Sequence, residues 1–232
     1  MTKLYKAALL AALGLASVAT SQAASYNSDL LVGFTTQSGN DVVYDLGSSS
    51  AILAGTAGVS DTWDLSSFLT GNLSTYSADF WGVIGSQSGT PRVAFTTLQN
   101  PPLIPGNSKW GQLNTAATTI YGNFATAGAG QSASVATGST ISWNTETISG
   151  SLTTDYVGAY GNPNVQGVTS VALEQVLANG SSPTSVGTFN LSNAGVLSFS
   201  PVAVPEPSTY GLLAGAGLLI VSLRNKLARK QA

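Results

Sequence analysis

Three pairs of short apolar segments, each joined by a turn rich in Gly, Ser or Asn, limit what this chain can fold into. Leu30–Phe34 and Val42–Leu46 flank Ser38-Gly39-Asn40. Phe80–Ile84 and Arg92–Phe95 flank the stretch from Ser86 to Pro91. Val186–Leu191 and Val196–Phe199 flank Ser192-Asn193-Ala194-Gly195. Apolar side chains alternating between turn signals describe half-buried antiparallel strands. Charged residues make up only 8% of the chain, against a usual quarter. Gly, Ser, Thr and Asn take their place, which favours strands and turns over charged helices.

One segment departs from this pattern. After Ser108, apolar groups recur at Trp110, Leu113, Ala117, Ile120, Tyr121 and Phe124, which is helical spacing. A shorter helix is expected near Asp64, carrying Leu65, Phe68 and Leu69. Residues 125–140 are dominated by Ala, Gly, Ser and Thr and read as a mobile loop. The expected fold is mainly β, an antiparallel β-sandwich-like ectodomain with one or two packed helices.

Charge is segregated along the chain. Lys3, Lys6, Arg224, Lys226, Arg229 and Lys230 hold six of the eight basic positions, all near the two ends. Between residues 24 and 204 only Arg92 and Lys109 are cationic, against nine acids, a balance of −7. Such a body offers no electrostatic footprint for nucleic acid.

Residues 1–23 have the order of a secretory signal peptide. Lys3 and Lys6 precede an uncharged run from Ala7 to Ala19, and Ser21-Gln22-Ala23 places small residues before a cleavage site after Ala23. The far end is tripartite. Pro205-Glu206-Pro207 fixes an extended segment. An apolar stretch, helical over 209–223, follows it, and Arg224, Lys226, Arg229 and Lys230 close the chain. The uncharged run from Ser208 to Leu223 is 16 residues, about 24 Å as a helix. It spans a bilayer when Arg224 and Lys226 snorkel. Basic residues stay cytoplasmic, which leaves residues 24–203 outside as the ectodomain.

This order, and the string Val204-Pro205-Glu206-Pro207-Ser208, resembles the PEP-CTERM sorting signal of exported bacterial proteins. The resemblance implies that residues 204–230 are recognised by an exosortase, a membrane protease or transpeptidase that cuts near Pro-Glu-Pro. It implies passage through the secretion machinery and a transient stay in the inner membrane. It also implies a cell-surface or extracellular destination in bacteria that make extracellular polysaccharide and biofilm. The body resembles ectodomains common among PEP-CTERM proteins through Leu30–Phe34, Trp81–Gly85 and the Gly187–Phe199 hairpin.

The chain has no His and no Cys. A Ser-His-Asp triad, a thiol nucleophile and Cys-type metal sites are therefore excluded. A Ser-Lys dyad would have to use Lys109, and no nucleophile turn lies near it. Two carboxylates flanking one glycosidic bond would suffice for a glycosidase, but the acids read as solvated surface charge. A calcium site at Asp61 and Asp64 lacks the acidic loop motif. No catalytic residue, cofactor or metal is expected. Trp81 and Trp110 lie in apolar patterns and read as core, whereas Trp143 and Trp63 have polar neighbours and are the candidates for glycan contact. The expectation is a non-enzymatic surface or matrix protein associated with exopolysaccharide, or alternatively a carbohydrate-binding, lectin-like module. N-terminal sequencing of the exported protein is expected to return Ala24, and a chain still beginning at Met1 or Lys3 contradicts the export reading.

Overall fold

The computed structural model describes residues 26–55, 61–67, 69, 80–89, 92–97, 107–124, 128–149, 163–167, 169–178 and 183–202. Its strands are β1 (Asp29–Thr35), β2 (Asn40–Ser48), β3 (Asp61–Asp64), β4 (Phe80–Gln87), β5 (Val93–Thr97), β6 (Ser132–Ala136), β7 (Val165–Gln166), β8 (Ser170–Leu177), β9 (Thr184–Leu191) and β10 (Val196–Pro201). Among the described residues, α1 (Ser49–Leu53), α2 (Asn107–Tyr121) and a π-helical turn (Thr145–Ser149) accompany them.

All three expected hairpins form, as β1–β2, β4–β5 and β9–β10, and all are antiparallel. The expected helix after Ser108 is α2. Near Asp64 the chain first makes β3 and only then a helical turn that buries Leu65 and Leu69. Asp64 Oδ1 accepts the Ser66 N–H at 3.0 Å and starts that turn.

The sandwich expectation holds only in its outline. The strands form one continuous sheet in the order β3-β10-β9-β8-β5-β4-β1-β2-β6, with β7 paired to β4. Because β5 pairs with β8, no gap separates two sheets. The sheet curls instead, and its concave face closes on itself. Trp63, on the terminal strand β3, donates its indole N–H to the Leu46 carbonyl on β2 at 3.2 Å. Leu30, Val32 and Phe34 of β1 therefore share one core with Phe189 and Leu191 of β9 and with Leu197 and Phe199 of β10.

The convex face over β1, β2, β4 and β5 has a second core. Leu31, Val43, Ile84 and Ala94 pack there under Trp110, Leu113, Ala117, Ile120 and Tyr121 of α2. This second cover explains a departure from the expected alternation. β1 and β5 are buried along their whole length, and β4 along all but its ends. β8, β9 and β10 keep the alternation of a half-buried strand.

Residues 132–136, read from sequence as part of a loop, form the edge strand β6, in register with β2 from Asn40↔Ala136 to Tyr44↔Ser132. Ser and Ala have weak strand preference, and here the open edge of β2 supplies the ladder that fixes them.

Two glycines shape the convex face. Gly33 and Gly82 lie opposite each other across β1 and β4. A Cβ on Gly33 would stand 1.9 Å from the Trp143 ring, and one on Gly82 would stand 2.6 Å from the Pro163 carbonyl oxygen. The missing Gly33 side chain leaves a trough that the indole of Trp143 fills, and the missing Gly82 side chain admits the Pro163 backbone. Replacing Gly33 by Ala is expected to lower stability by about 1–3 kcal/mol or more, since the ring has nowhere to go. Gly111 on α2 has nothing within 4 Å of its would-be Cβ. Gly111→Ala is expected to raise stability by about 0.5–1 kcal/mol. Thermal melts of the two variants check both signs.

Candidate functional site

The two tryptophans singled out for glycan contact have different fates. Trp143 is 0% exposed, pressed on the backbone of Gly33. Its indole N–H donates to Asn164 Oδ1 at 2.7 Å, and Asn164 Nδ2 donates in turn to Thr147 Oγ1 at 3.1 Å. Asp41 holds the same corner, accepting the Asn144 N–H at 2.6 Å and the Thr137 hydroxyl at 2.6 Å. Trp143 is therefore an interior residue with no ring face open to a ligand, because Gly33 beneath it admits a large ring against the sheet. Its polar neighbours Ser142 and Asn144 are buried with it, Ser142 bonded to Thr145 and Asn144 to Asp41 of β2. Trp81 and Trp110 are buried, as their apolar patterns implied.

Trp63 is half-buried and lines a cleft of about 280 Å³ with Leu46, Ala51, Ile52, Asp61 and Thr62. The cleft lies where the two ends of the curled sheet meet, between α1, the end of β2 and β3. On β3, Asp61 and Trp63 are half-buried while Thr62 and Asp64 are exposed, so the pleat puts Asp61 and Trp63 on one face. Asp61 and Asp64 consequently point to opposite faces, and Asp64 is engaged by Ser66. The calcium pairing considered from sequence does not assemble.

A second cluster was invisible in the sequence. Asp29 is 5% exposed and Asp45 0%, so with Asp41 at 1% these acids are not the solvated surface charges expected. The Tyr121 hydroxyl lies 3.0 Å from Asp45 Oδ2 and 3.2 Å from Asp29 Oδ2. One hydroxyl has one proton, so both contacts are satisfied together only when one carboxyl is itself protonated. Gly47 N–H donates to Asp45 Oδ1 at 2.8 Å. Tyr26 closes the site, its ring edge-on to Tyr121 at 5.4 Å and its hydroxyl tied to the Asp29 and Ser86 backbone. A one-residue bulge makes the pairing possible. Leu30 faces Gly47 but Leu31 faces Asp45, which leaves Leu46 as the extra residue.

Burial pushes the Asp45 carboxyl up to about 6; the Gly47 N–H works against this, and the neighbouring Asp29 charge adds to it. Burial also pushes Tyr26 up to about 12 and raises Tyr121, the latter helped by the Asp45 charge. Tyr44, beside Asp45 on β2, is raised for the same two reasons.

The processing motif Pro205, Glu206 and Pro207, the basic cluster Arg224, Lys226, Arg229 and Lys230, the apolar helix 209–223 and the cleavage residue Ala23 lie outside the described residues. Among the described residues no helix is long and apolar enough to cross a membrane. Comparison with known families decides the nature of the tail. Residues 203–230 match the PEP-CTERM protein-sorting motif. The chain carries a PEP-CTERM sorting signal. The match covers the Pro-Glu-Pro string, the apolar stretch and the basic end together. It marks an exported protein sorted through exosortase. No curated protein and no solved structure matches the chain.

The raised Asp45 carboxyl has a definite pH signature. A folded-state value above the unfolded 3.8 means that its contribution is fully present below pH 4 and is lost as pH rises through about 6. The loss amounts to at most about 3 kcal/mol. Asp45→Asn removes this term. The melting temperature of the variant minus that of the wild type is expected to grow between pH 4 and pH 7 and then level off.

Proposed function

We propose that residues 24–203 are a non-enzymatic surface or matrix protein, released or anchored by processing at the PEP-CTERM motif and associated with extracellular polysaccharide. The motif at residues 203–230 is the observation that carries the reading. Export through the secretion machinery would precede a stay in the inner membrane on the apolar helix, with the ectodomain outside. The lack of His and Cys supports a non-catalytic role. So does the sealing of the Asp29–Asp45 pair under Tyr26 and Tyr121, where no substrate could lie between the two carboxyls. An acidic ectodomain suits a matrix of uncharged or cationic polymer more than nucleic acid.

The Trp63 cleft favours a second reading, a carbohydrate-binding module. An aromatic ring beside an acid and apolar walls is a surface on which a sugar can rest its C–H face and bond its hydroxyls.

Processing is the direct test of the first reading. A protease reads an extended peptide, and two prolines keep residues 205–207 out of the following helix. Glu206 is the only charge between Glu174 and Arg224 and is the specificity handle. Replacing Pro205-Glu206-Pro207 by alanines is expected to leave the precursor uncut in the membrane fraction of a host that carries the exosortase. Neutralising Arg224, Lys226, Arg229 and Lys230 is expected to disturb retention and orientation instead. Intact mass and fractionation read both. Wild-type processing of the triple-alanine variant would reduce the tail to an anchor.

A further inference from the structure

We propose that the Trp63 cleft is a subsite for one pyranose ring, selective for a neutral or amino-bearing sugar over a uronate. This rests on the carbohydrate-binding reading and gives it a place and a ligand class. Four features converge on it.

The first is a fixed platform. The Trp63 indole is held at its edge by the Leu46 carbonyl at 3.2 Å and packs on Phe189, with centroids 6.2 Å apart and planes at 40°. A ring already immobilised loses little freedom when a ligand stacks on it. The second is size. About 280 Å³ lies at the low end of small-molecule sites, which run from about 300 Å³ upward. It admits one ring and not several. The cleft is open, so a chain can continue out of it on either side of the bound residue.

The third is an uncommitted acceptor. Among the described residues nothing donates a hydrogen bond to the Asp61 carboxylate, which shares the inner face of β3 with Trp63. A carboxylate can accept two hydroxyls of one sugar, or an ammonium, with charge-assisted bonds. Leu46, Ala51 and Ile52 form the apolar wall for the C–H groups.

The fourth is the charge balance. Residues 24–204 carry −7 and only two cations. Of these, Arg92 stacks over Trp110 at 4.8 Å and is committed elsewhere. Among the described residues no cation lines the cleft to answer a carboxylate on the ligand, and Asp61 would repel one.

The experiment uses full-length protein in detergent micelles, titrated with cellohexaose, a chitosan oligomer and an oligogalacturonate. Trp81, Trp110 and Trp143 are buried, so Trp63 is the indole whose fluorescence a ligand in the cleft changes. A saturable change is expected with cellohexaose or the chitosan oligomer and not with oligogalacturonate. Trp63→Ala is expected to weaken binding about tenfold, and Asp61→Asn to weaken the chitosan oligomer more than cellohexaose. Trp63 also packs against the core, so Ala51→Phe is the second variant. Residue 51 is exposed on α1, and a phenyl ring there fills the cleft without touching the interior. No change with any of the three probes, equal affinity in Ala51→Phe, or a preference for oligogalacturonate each overturns the proposal. If the protein binds the producing cell's own polysaccharide and Ala51→Phe does not alter it, the carbohydrate-binding reading stands and only this cleft is wrong. If it binds neither probes nor that polysaccharide, both fall.

Discussion

The β1–β2 ladder carries one extra residue, Leu46, and much of the remaining structure is arranged around that bulge. Ahead of the bulge Asp45 faces the convex side, where it meets Asp29 and Tyr121. At the bulge Leu46 lines the cleft on the concave side, and its carbonyl receives the Trp63 indole. Gly47 then takes a φ of +102°, a conformation glycine adopts freely, and its N–H bonds back to Asp45. A single irregularity thus serves both faces of the sheet. It fixes the carboxyl pair on one and ties the two ends of the curled sheet together on the other.

The curl replaces what a two-sheet sandwich would supply. A ten-stranded open sheet would leave its concave face to solvent, and sheets of this width tend to curl or split. Here the turn-linked half, β8 to β10 with β3, folds over the half made by β1, β2, β4 and β5. Within each half, aromatic pairs line the concave face. Phe189 meets Phe199 at 4.7 Å and Trp63 at 6.2 Å, while Phe34 stacks with Trp81 at 6.4 Å. Among the described residues no second sheet covers the convex side, and α2 and Trp143 take that role.

Charge is used sparingly and in two ways. Asp41 and Asp64 each accept a backbone N–H at a helical turn, Asp64 from its own segment and Asp41 from Asn144 across the fold. Asp29 and Asp45 are brought together inside, where desolvation and the nearby Asp29 charge oppose ionisation of Asp45. Asp61 is committed to neither use, and this sets it apart beside the cleft. The sorting motif, at residues 203–230, lies apart along the chain from all of these acids.

Some of this was readable in the residues alone. The three hairpins and α2 follow from local periodicity and turn chemistry, which depend on neighbours in sequence. The sorting signal is a contiguous string of extended, apolar and basic segments, so it too is written in order along the chain. The rest was decided by long-range contact. Trp143 has the polar neighbours of a surface residue, yet Gly33, 110 positions earlier, provides the trough that buries it. Residues 132–136 have little strand preference and become β6 because β2 offers an open ladder. Asp29 and Asp45 look like solvated acids until a bulge and a tyrosine from another element enclose them. Composition and spacing determine which segments become strands and where the chain is sent. Only the closure of the sheet determines which side chains face water, because burial belongs to the pair of surfaces that meet and not to either segment alone.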